Sequence, residues 1–197
     1  MNKKGFTLIE MLTTTAILVV VFGLLAIIFG LATSIHKIVR SGVDAENFGI
    51  YLINTIVYGP VINREKVLVG VQPFVLGTSP ADTLTFQGSD GQLVRYVLNG
   101  SSVTFSTSPD GGATWSLPVY LKPTWATDRQ LEVIRNLDAS GHPLSEFLYY
   151  DTGLTNPITT GVPSYVGIKL TLKSTLQNIQ EAVTLYRCVR VRNQIDF

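Results

Sequence analysis

The feature that most constrains this chain is an uncharged apolar segment near its N-terminus. The 25 residues from Met11 to Ile35 read "MLTTTAILVVVFGLLAIIFGLATSI" and contain no Asp, Glu, Lys or Arg. As a helix this segment would be roughly 37 Å long, enough to cross a hydrocarbon core of ~30 Å. It is longer than the apolar core of a secretory signal, and no A-x-A cleavage site follows it. The sequence therefore predicts one membrane-spanning helix.

Basic residues flank this segment on both sides. Lys3 and Lys4 precede it, and His36, Lys37 and Arg40 follow it. Short basic flanks usually stay in the cytoplasm, and here that rule applies to both ends. Because the C-terminal part is large enough for a folded domain, which must lie on one side, we expect the N-terminus inside and the domain outside the cytoplasm.

Helical periodicity continues beyond the apolar segment. Residues 35–58, "IHKIVRSGVDAENFGIYLINTIVY", contain no proline, and Gly59-Pro60 follows them. Apolar or small residues recur with the spacing of a helix that buries one face, at positions 35, 38, 39, 42, 45, 48, 49, 52, 53 and 56. We therefore expect one helix from Phe6 to Tyr58, with an amphipathic second half at 36–59.

The rest of the chain, residues 60–197, has the period-two alternation of β-strands. The predicted strands are 66–71, 83–87, 93–98, 102–107, 117–121, 131–137, 146–150, 166–172 and 182–191. Turn residues separate several of them, and Asn99-Gly100 between two alternating runs predicts a β-hairpin. The predicted class is α+β: a long N-terminal α-helix, transmembrane and then amphipathic, packed on an antiparallel β-rich globular head.

In the last predicted strand one charged residue interrupts an apolar face. Val183, Leu185, Val189 and Val191 share that face with Arg187. Arg187 either lies at a sheet edge or pairs with a carboxylate, and the sequence does not decide between them.

The segment "SPDGGATW", from Ser108 to Trp115, resembles the Asp-box of sialidases and related β-propellers. Asp110 can accept hydrogen bonds from nearby amides, Gly111 and Gly112 permit positive φ, and Trp115 supplies apolar area. A propeller needs repeated copies of such a motif, and this chain has one. A tight hairpin between strands 102–107 and 117–121 is therefore favoured over a glycan-binding or glycosidase site.

Composition and motifs give little support to catalysis. The net charge of +1 gives no global case for a nucleic-acid partner, and a single cysteine, Cys188, excludes an intrachain disulfide. His36 and His142 lack neighbours at metal-ligand spacing. Arg187, Arg190 and Arg192 form a small basic patch, for which a solvated strand face is favoured over a DNA contact. We expect no cofactor, no metal and no enzymatic activity.

The N-terminal residues "KKGFTLIEM", positions 3–11, resemble the processing site of type IV prepilins and pseudopilins. A short basic leader with Lys3 and Lys4 ends at Gly5, and Phe6-Thr7-Leu8-Ile9-Glu10 then leads into the apolar segment. The resemblance implies that residues 1–5 are a leader, that a prepilin peptidase cuts after Gly5, and that Phe6 is N-methylated. A long helix followed by a β-rich head is also the family's architecture, so a pilin-like fold is implied.

The resemblance also gives Glu10 a role. It implies that Glu10 pairs with the amine of a neighbouring subunit's Phe6, which favours one axial register because other staggers leave a buried charge unpaired. Near the membrane edge the same carboxylate costs less than at the centre, where insertion costs about 2.5–3.5 kcal/mol. A local account is compatible with this one, namely an acid at the positive end of the helix dipole.

Two absences indicate a minor subunit within the family. The apolar segment lacks the proline that major pilins commonly carry, and one cysteine cannot form their C-terminal disulfide. The head and the ending "YRCVRVRNQ" are similar to the J-type minor pseudopilin of type II secretion and the W-type minor pilin of type IV pili. The implied partners are other pilin subunits, the peptidase/methyltransferase and, before assembly, inner-membrane lipid.

Three functions follow from these observations. The first is a subunit that initiates or caps a filament at its tip, located in the bacterial inner membrane and then in an extracytoplasmic filament. The second is an adhesin-like or DNA-uptake minor pilin whose head binds a ligand. The third is an uncleaved, membrane-anchored β-rich enzyme.

Overall fold

The computed structural model describes residues 7–59, 81–88, 90–123, 125, 131–135, 137–158, 163–174 and 182–190. The strand predicted at 66–71 lies outside these residues. The chain divides into two compact units, Met1–Arg40 and Ser41–Phe197, and the boundary falls within the long helix.

Helix α1 spans Leu8–Tyr58, 51 residues without interruption. It confirms the single long helix predicted from the apolar segment and the stripe behind it. The chain leaves the helix at Gly59, whose φ of 79° is left-handed. Glycine takes this conformation at a helix C-terminus without the steric penalty of a Cβ, as Gly59-Pro60 predicted.

Four antiparallel strands form the first sheet in the order β1-β2-β3-β4. They are β1 (Thr83–Gln87), β2 (Leu93–Asn99), β3 (Ser102–Ser108) and β4 (Val119–Tyr120). The hairpin predicted at Asn99-Gly100 is present, but Asn99 itself pairs with Ser102. The two-residue loop is therefore Gly100-Ser101, and Gly100, with φ 60°, takes the position at which a type II′ turn requires glycine.

The second sheet is built around strand β7. Its strands are β5 (Leu131–Val133), β6 (Glu146–Tyr150), β7 (Tyr165–Ser174) and β8 (Ala182–Arg190). One side of β7 pairs with β6 near its start and with β5 near its end, while β8 pairs along the other side, all antiparallel. Long helix and antiparallel sheets together confirm the predicted α+β class.

In the second unit, α1 packs against both sheets through one buried face. Its buried residues are Ser41, Ala45, Phe48, Gly49, Leu52, Ile53, Thr55, Ile56 and Val57. Tyr96 of β2, fully buried, donates a hydrogen bond from its hydroxyl to the Thr55 carbonyl at 3.2 Å. Burial raises the pKa of Tyr96, so this hydroxyl remains a donor at ordinary pH.

The helix approaches the second sheet closely at Gly49. A Cβ at this position would overlap the side chain of Leu185 on β8 and lie 2.7 Å from Leu172 Cδ1 on β7. Only glycine leaves room for these leucines, so the small residue in the predicted stripe has a packing reason.

Three predicted boundaries need correction. The buried face of α1 starts at Ser41, and Ile35, Ile38 and Val39, which the stripe had included, are 39–60% exposed. The strand predicted at 117–121 is limited to Val119–Tyr120, because Pro118 lacks the N–H that a longer ladder needs. The strand predicted at 131–137 ends at Val133, and Leu137 forms only an isolated bridge with Pro143.

Arg187 lies on β8, which pairs with β7 alone among the described strands, so the sheet-edge alternative is confirmed. Its side chain faces the helix. Its guanidinium donates to Asn54 Oδ1 and to the Tyr58 hydroxyl, each at 2.8 Å. It also lies over the Tyr58 ring, 5.4 Å from the ring centroid. The partner is therefore a neutral amide and a phenol near the end of α1 rather than a carboxylate, and the cation lies at the negative end of the helix dipole.

Candidate functional site

Helix α1 begins with a reciprocal pair of side chains, Thr7 and Glu10. The Thr7 backbone N–H and hydroxyl donate to Glu10 Oε2 at 2.9 and 3.0 Å. In return, the Glu10 N–H donates to Thr7 Oγ1 at 3.3 Å. Since the first helical residue is Leu8, Thr7 is the N-cap and Glu10 the third helical residue. This arrangement is a capping box, which satisfies two amide groups that the helix leaves unpaired.

The capping box changes the interpretation of Glu10. The sequence offered an acid near the helix N-terminus as its local role, and the structure gives that role a partner in Thr7. The capping role of Thr7 was not predicted, although Thr-x-x-Glu before an apolar segment is a signature of helix starts. Thr7 donates both of its hydrogen bonds to Oε2, and Oε1 accepts none from the described residues. The other predicted site residues, Lys3, Lys4, Gly5 and Phe6, lie outside those residues.

The apolar part of α1 presents its side chains outward on every side. Large apolar residues from Leu8 to Phe29 are 47–83% exposed. By length and composition, α1 is long and apolar enough to cross a membrane. A helix segment that is apolar all round, with its side chains exposed among the described residues, has the surface expected of a segment surrounded by lipid or by other helices.

The hydroxyl groups on this segment bond to the helix itself. Thr13 and Thr14 donate to the Glu10 carbonyl at 3.1 and 2.6 Å, and Thr15 donates to the Met11 carbonyl at 2.7 Å. Thr33 and Ser34 donate to the Gly30 carbonyl at 2.9 and 3.0 Å. Hydrocarbon provides no partner for a hydroxyl, so these internal bonds remove the main cost of placing five hydroxyls in an apolar segment.

In the Asp110 turn of the head, one backbone amide donates to the carboxylate, as the sequence predicted, and two hydroxyl groups donate as well. Asp110 Oδ1 accepts from the Ser108 hydroxyl at 2.6 Å and from the Thr114 N–H at 2.9 Å, and Oδ2 accepts from the Thr114 hydroxyl at 2.5 Å. Gly111 and Gly112 have φ of 70° and 100°. The Ser108 and Thr114 bonds hold the pKa of Asp110 well below its usual range. The carboxylate thus stabilises a turn between β3 and β4.

Trp115 completes this turn by packing on the first sheet. The Arg95 guanidinium of β2 lies 3.8 Å from the centroid of the Trp115 ring, a close cation–π contact. Arg95 Nε also donates to Ser106 Oγ at 3.4 Å. The segment that resembles an Asp-box is therefore a hairpin connection with a stacked tryptophan, as the favoured interpretation predicted.

The head contains few groupings that would support chemistry. Within the described residues, no three His, Cys, Asp or Glu side chains come together as metal ligands would. His142 lies in a turn, where its backbone N–H donates to Asp138 Oδ1 at 2.9 Å. This hydrogen bond lowers the pKa of the Asp138 carboxyl. A cleft of about 310 Å³ beside Asp82 and Arg135 holds their 3.0 Å ion pair. These are turn and packing contacts, so the functional evidence concentrates in α1.

Comparison with known proteins also points to the N-terminal part of the chain. Residues 1–33 match a family model described as the prokaryotic N-terminal methylation motif, the signature of type IV prepilins. No curated protein and no solved structure matches the chain. The resemblance noted at "KKGFTLIEM" is therefore confirmed, and the matched residues include the capping box and most of the apolar segment.

Proposed function

We propose that this chain, a type IV pilin-like or pseudopilin-like protein anchored in a membrane by α1, is a minor subunit that initiates or caps a filament. The methylation motif at residues 1–33, which contains most of the exposed apolar first half of α1, supports this proposal most directly. Such a surface suits lipid before assembly and neighbouring helices afterwards. The absence of proline from α1 and the single cysteine favour a minor subunit.

The proposal includes the processing of the N-terminus. A prepilin peptidase cuts after Gly5 and methylates the new amine of Phe6, which leaves Thr7 and Glu10 in place at the start of the helix. Lys3 and Lys4 orient the precursor with its head outside the cytoplasm and are then removed. The mature protein lies in the inner membrane and later in an extracytoplasmic filament with other pilin subunits.

Intact-mass analysis of the purified full chain tests the processing step. The expected mass is that of residues 6–197 plus one methyl group. A Gly5→Val variant should keep the full mass, because the bulkier residue replaces the glycine at the cleavage site. An uncleaved N-terminus in the unaltered protein would contradict the proposal and favour a membrane-anchored protein of another class, including the enzyme alternative.

In the proposed assembly step, Glu10 forms the contact between neighbouring subunits. The carboxylate pairs with the Phe6 amine of a neighbouring subunit, and Oε1 is the oxygen that Thr7 leaves without a partner. The pair fixes the axial register, since other staggers leave a charge buried and unpaired. The difficulty in testing this role is that Glu10→Ala would remove the capping box together with the charge.

Two variants separate the charge of Glu10 from its capping role. Glu10→Gln keeps a side-chain oxygen for the Thr7 N–H, because glutamine also forms capping boxes, but removes the charge. Thr7→Ala keeps the charge and breaks the box. If the charge sets the register, Glu10→Gln is processed normally but enters filaments less than the unaltered chain in a pull-down of assembled material. Normal incorporation of Glu10→Gln, with failure of Thr7→Ala, would assign Glu10 to capping alone.

A further inference from the structure

The outer face of the second sheet, away from α1, carries three tyrosines on adjacent strands. Alternation places Tyr150 of β6 and Tyr165 of β7 opposite to the buried residues of their strands, and Tyr186 of β8 opposite to the half-buried residues of its strand. Tyr150 and Tyr165 are direct cross-strand partners. We call these three residues, with Gly167 between them, the tyrosine platform.

Gly167 determines how two of these rings lie. A Cβ at Gly167 would be 2.8 Å from Tyr186 Oη and 3.0 Å from Tyr150 Cε2. The rings therefore occupy the space above the glycine, one reaching in from β8 and the other from β6. The Tyr186 hydroxyl donates to the Tyr150 hydroxyl at 3.3 Å, which joins them across the strand. Aromatic side chains that cover a strand glycine in this way lean along the sheet instead of standing upright on it.

The tyrosine platform is accessible to solvent. Tyr186 is 53% exposed, and Cys188 and Arg190, which follow it on the same face of β8, are also exposed. Tyr150 and Tyr165 are half-buried. The outer surface of the paired rings is thus open, with phenol groups at its centre and polar side chains at its rim.

The charges on this face argue against a polyanionic ligand. Lys169 pairs with Glu146 at 3.2 Å, and Lys173 pairs with Glu132 at 3.8 Å. Among the described residues of this face, Arg190 is left as the one cation outside those two ion pairs. Single-stranded nucleic acids require a basic groove beside the stacking rings, because the phosphates dominate affinity. A face with exposed aromatic rings and mostly paired charges is better matched by an uncharged ligand with flat apolar faces and many hydroxyl groups.

We propose that the tyrosine platform is a carbohydrate-binding site that stacks the pyranose rings of a polysaccharide. The aromatic face carries negative partial charge and attracts the C–H groups on the flat side of a sugar ring. The Tyr150 and Tyr186 hydroxyls lie at the centre, above Gly167, and Lys169 and Arg190 lie at the rim. Both sets of groups can exchange hydrogen bonds with sugar hydroxyls. This site concerns what the head binds and does not depend on the assembly role of α1.

Retention on insoluble polysaccharides tests the site. The full chain in detergent is incubated with cellulose, chitin, curdlan and peptidoglycan sacculi, and separately with an immobilised oligothymidylate. Tyr186→Ala removes the most exposed ring and should weaken retention about tenfold, the loss expected when one stacking contact worth about 1.4 kcal/mol is removed. Tyr120→Ala, which removes a tyrosine 64% exposed on the first sheet, is the matched control and should bind like the unaltered chain.

A second variant tests ring orientation rather than ring loss. Gly167→Ala adds a single methyl group that displaces the ends of Tyr150 and Tyr186, which are flexible, so the fold should survive while stacking weakens. Tyr186→Phe keeps the ring and should retain binding within about twofold, since one exposed hydrogen bond is lost. Circular dichroism confirms that each variant is folded.

The expected result is retention on at least one polysaccharide that both Tyr186→Ala and Gly167→Ala weaken and Tyr120→Ala does not. The proposal is overturned if no polysaccharide retains the chain, or if the three variants bind alike. It is also overturned if the oligothymidylate, instead of the polysaccharides, is the ligand that Tyr186→Ala releases.

Discussion

Gly49 shows how one missing side chain sets the distance between a helix and a sheet. Leu185 and Leu172 occupy the space that its Cβ would take. The sequence placed this glycine in a stripe of apolar and small residues, which predicted that the position is buried. It could not show which side chains fill the space, because they come from strands more than a hundred residues later.

Gly49→Ala should destabilise the protein by about 1–3 kcal/mol, the usual cost of overpacking a core. The gain in helix propensity from glycine to alanine, roughly 1 kcal/mol, offsets part of this cost. Gly30→Ala in the same helix is the matched control, since a Cβ there meets nothing within 4 Å. Thermal unfolding of the full chain in detergent measures both variants, and equal stability of the two would contradict the packing argument.

Tyr96 is a second residue whose role depends on one long-range contact. Its hydroxyl is buried and donates to the Thr55 carbonyl of α1. Alternation on β2 places Tyr96 on the buried face of the strand, but the acceptor lies on a helix some forty residues earlier in the chain. Sequence alone gives the direction of such a side chain and not its partner.

At the scale of elements, the sequence predicted best where a strong periodicity is repeated. Helix α1 and strands β1, β2, β3, β6, β7 and β8 were predicted within two residues at each end that the structure describes. Strands β4 and β5 are shorter than predicted, because alternation continues past the residues that pair. The division into two sheets was not predictable, since it depends on which edges meet after the chain has folded.

Arg187 links β8 to the end of α1 by two hydrogen bonds, and its replacement should lower the free energy of unfolding. Arg187→Met keeps much of the apolar stem but loses both hydrogen bonds, which should cost about 1.5–3 kcal/mol because one partner is charged. A double-mutant cycle with Tyr58→Phe measures the share carried by the phenol. Additive effects of Arg187→Met and Tyr58→Phe would show that the 2.8 Å contact contributes no coupling free energy.

Because of Asp110, the stability of the turn between β3 and β4 should depend on pH. Since hydrogen bonds lower the pKa of Asp110 in the folded state, its stabilisation is complete above the unfolded value of about 3.8 and disappears as the pH falls through the lower folded value. Asp110→Asn should therefore lower the unfolding temperature at pH 7, and this difference should narrow below about pH 4.

Thr114→Val provides the control for this prediction. Valine has nearly the shape of threonine and removes one hydroxyl donor to Asp110 Oδ2, so it should lower the unfolding temperature in the same direction by less. A difference between Asp110→Asn and the unaltered chain that stays constant from pH 7 to below 3 would show that the charge of Asp110 does not stabilise the turn.

At the scale of the whole molecule, burial is confined to one of the two units. The buried residues of the described ranges all lie at or beyond Ser41, and none lies between Thr7 and Arg40. The sequence predicted a helix with an exposed and a packed half, but placed the start of the packed stripe at Ile35. The three apolar positions from Ile35 to Val39 follow the same period as the buried ones, so periodicity could not separate them.

A chain limited to residues 41–197 should fold without detergent, because the core needs no residue before Ser41. We expect a cooperative thermal transition and a monomeric mass by light scattering. Residues 8–58 in isolation should require detergent, given the exposed apolar side chains of the first half of α1. Aggregation of the 41–197 chain in plain buffer would show that the preceding helix supports the fold.

The hydroxyls of Thr13, Thr14, Thr15, Thr33 and Ser34 have one further consequence. Because each of them is bonded to a carbonyl of its own helix, the segment carries its hydrogen bonds with it when its surroundings change. For these five side chains, transfer between lipid and a bundle of helices then exchanges only van der Waals neighbours, because none of their hydrogen bonds has to be broken or remade. These hydroxyl groups therefore add no hydrogen-bond cost to leaving the lipid or to returning to it.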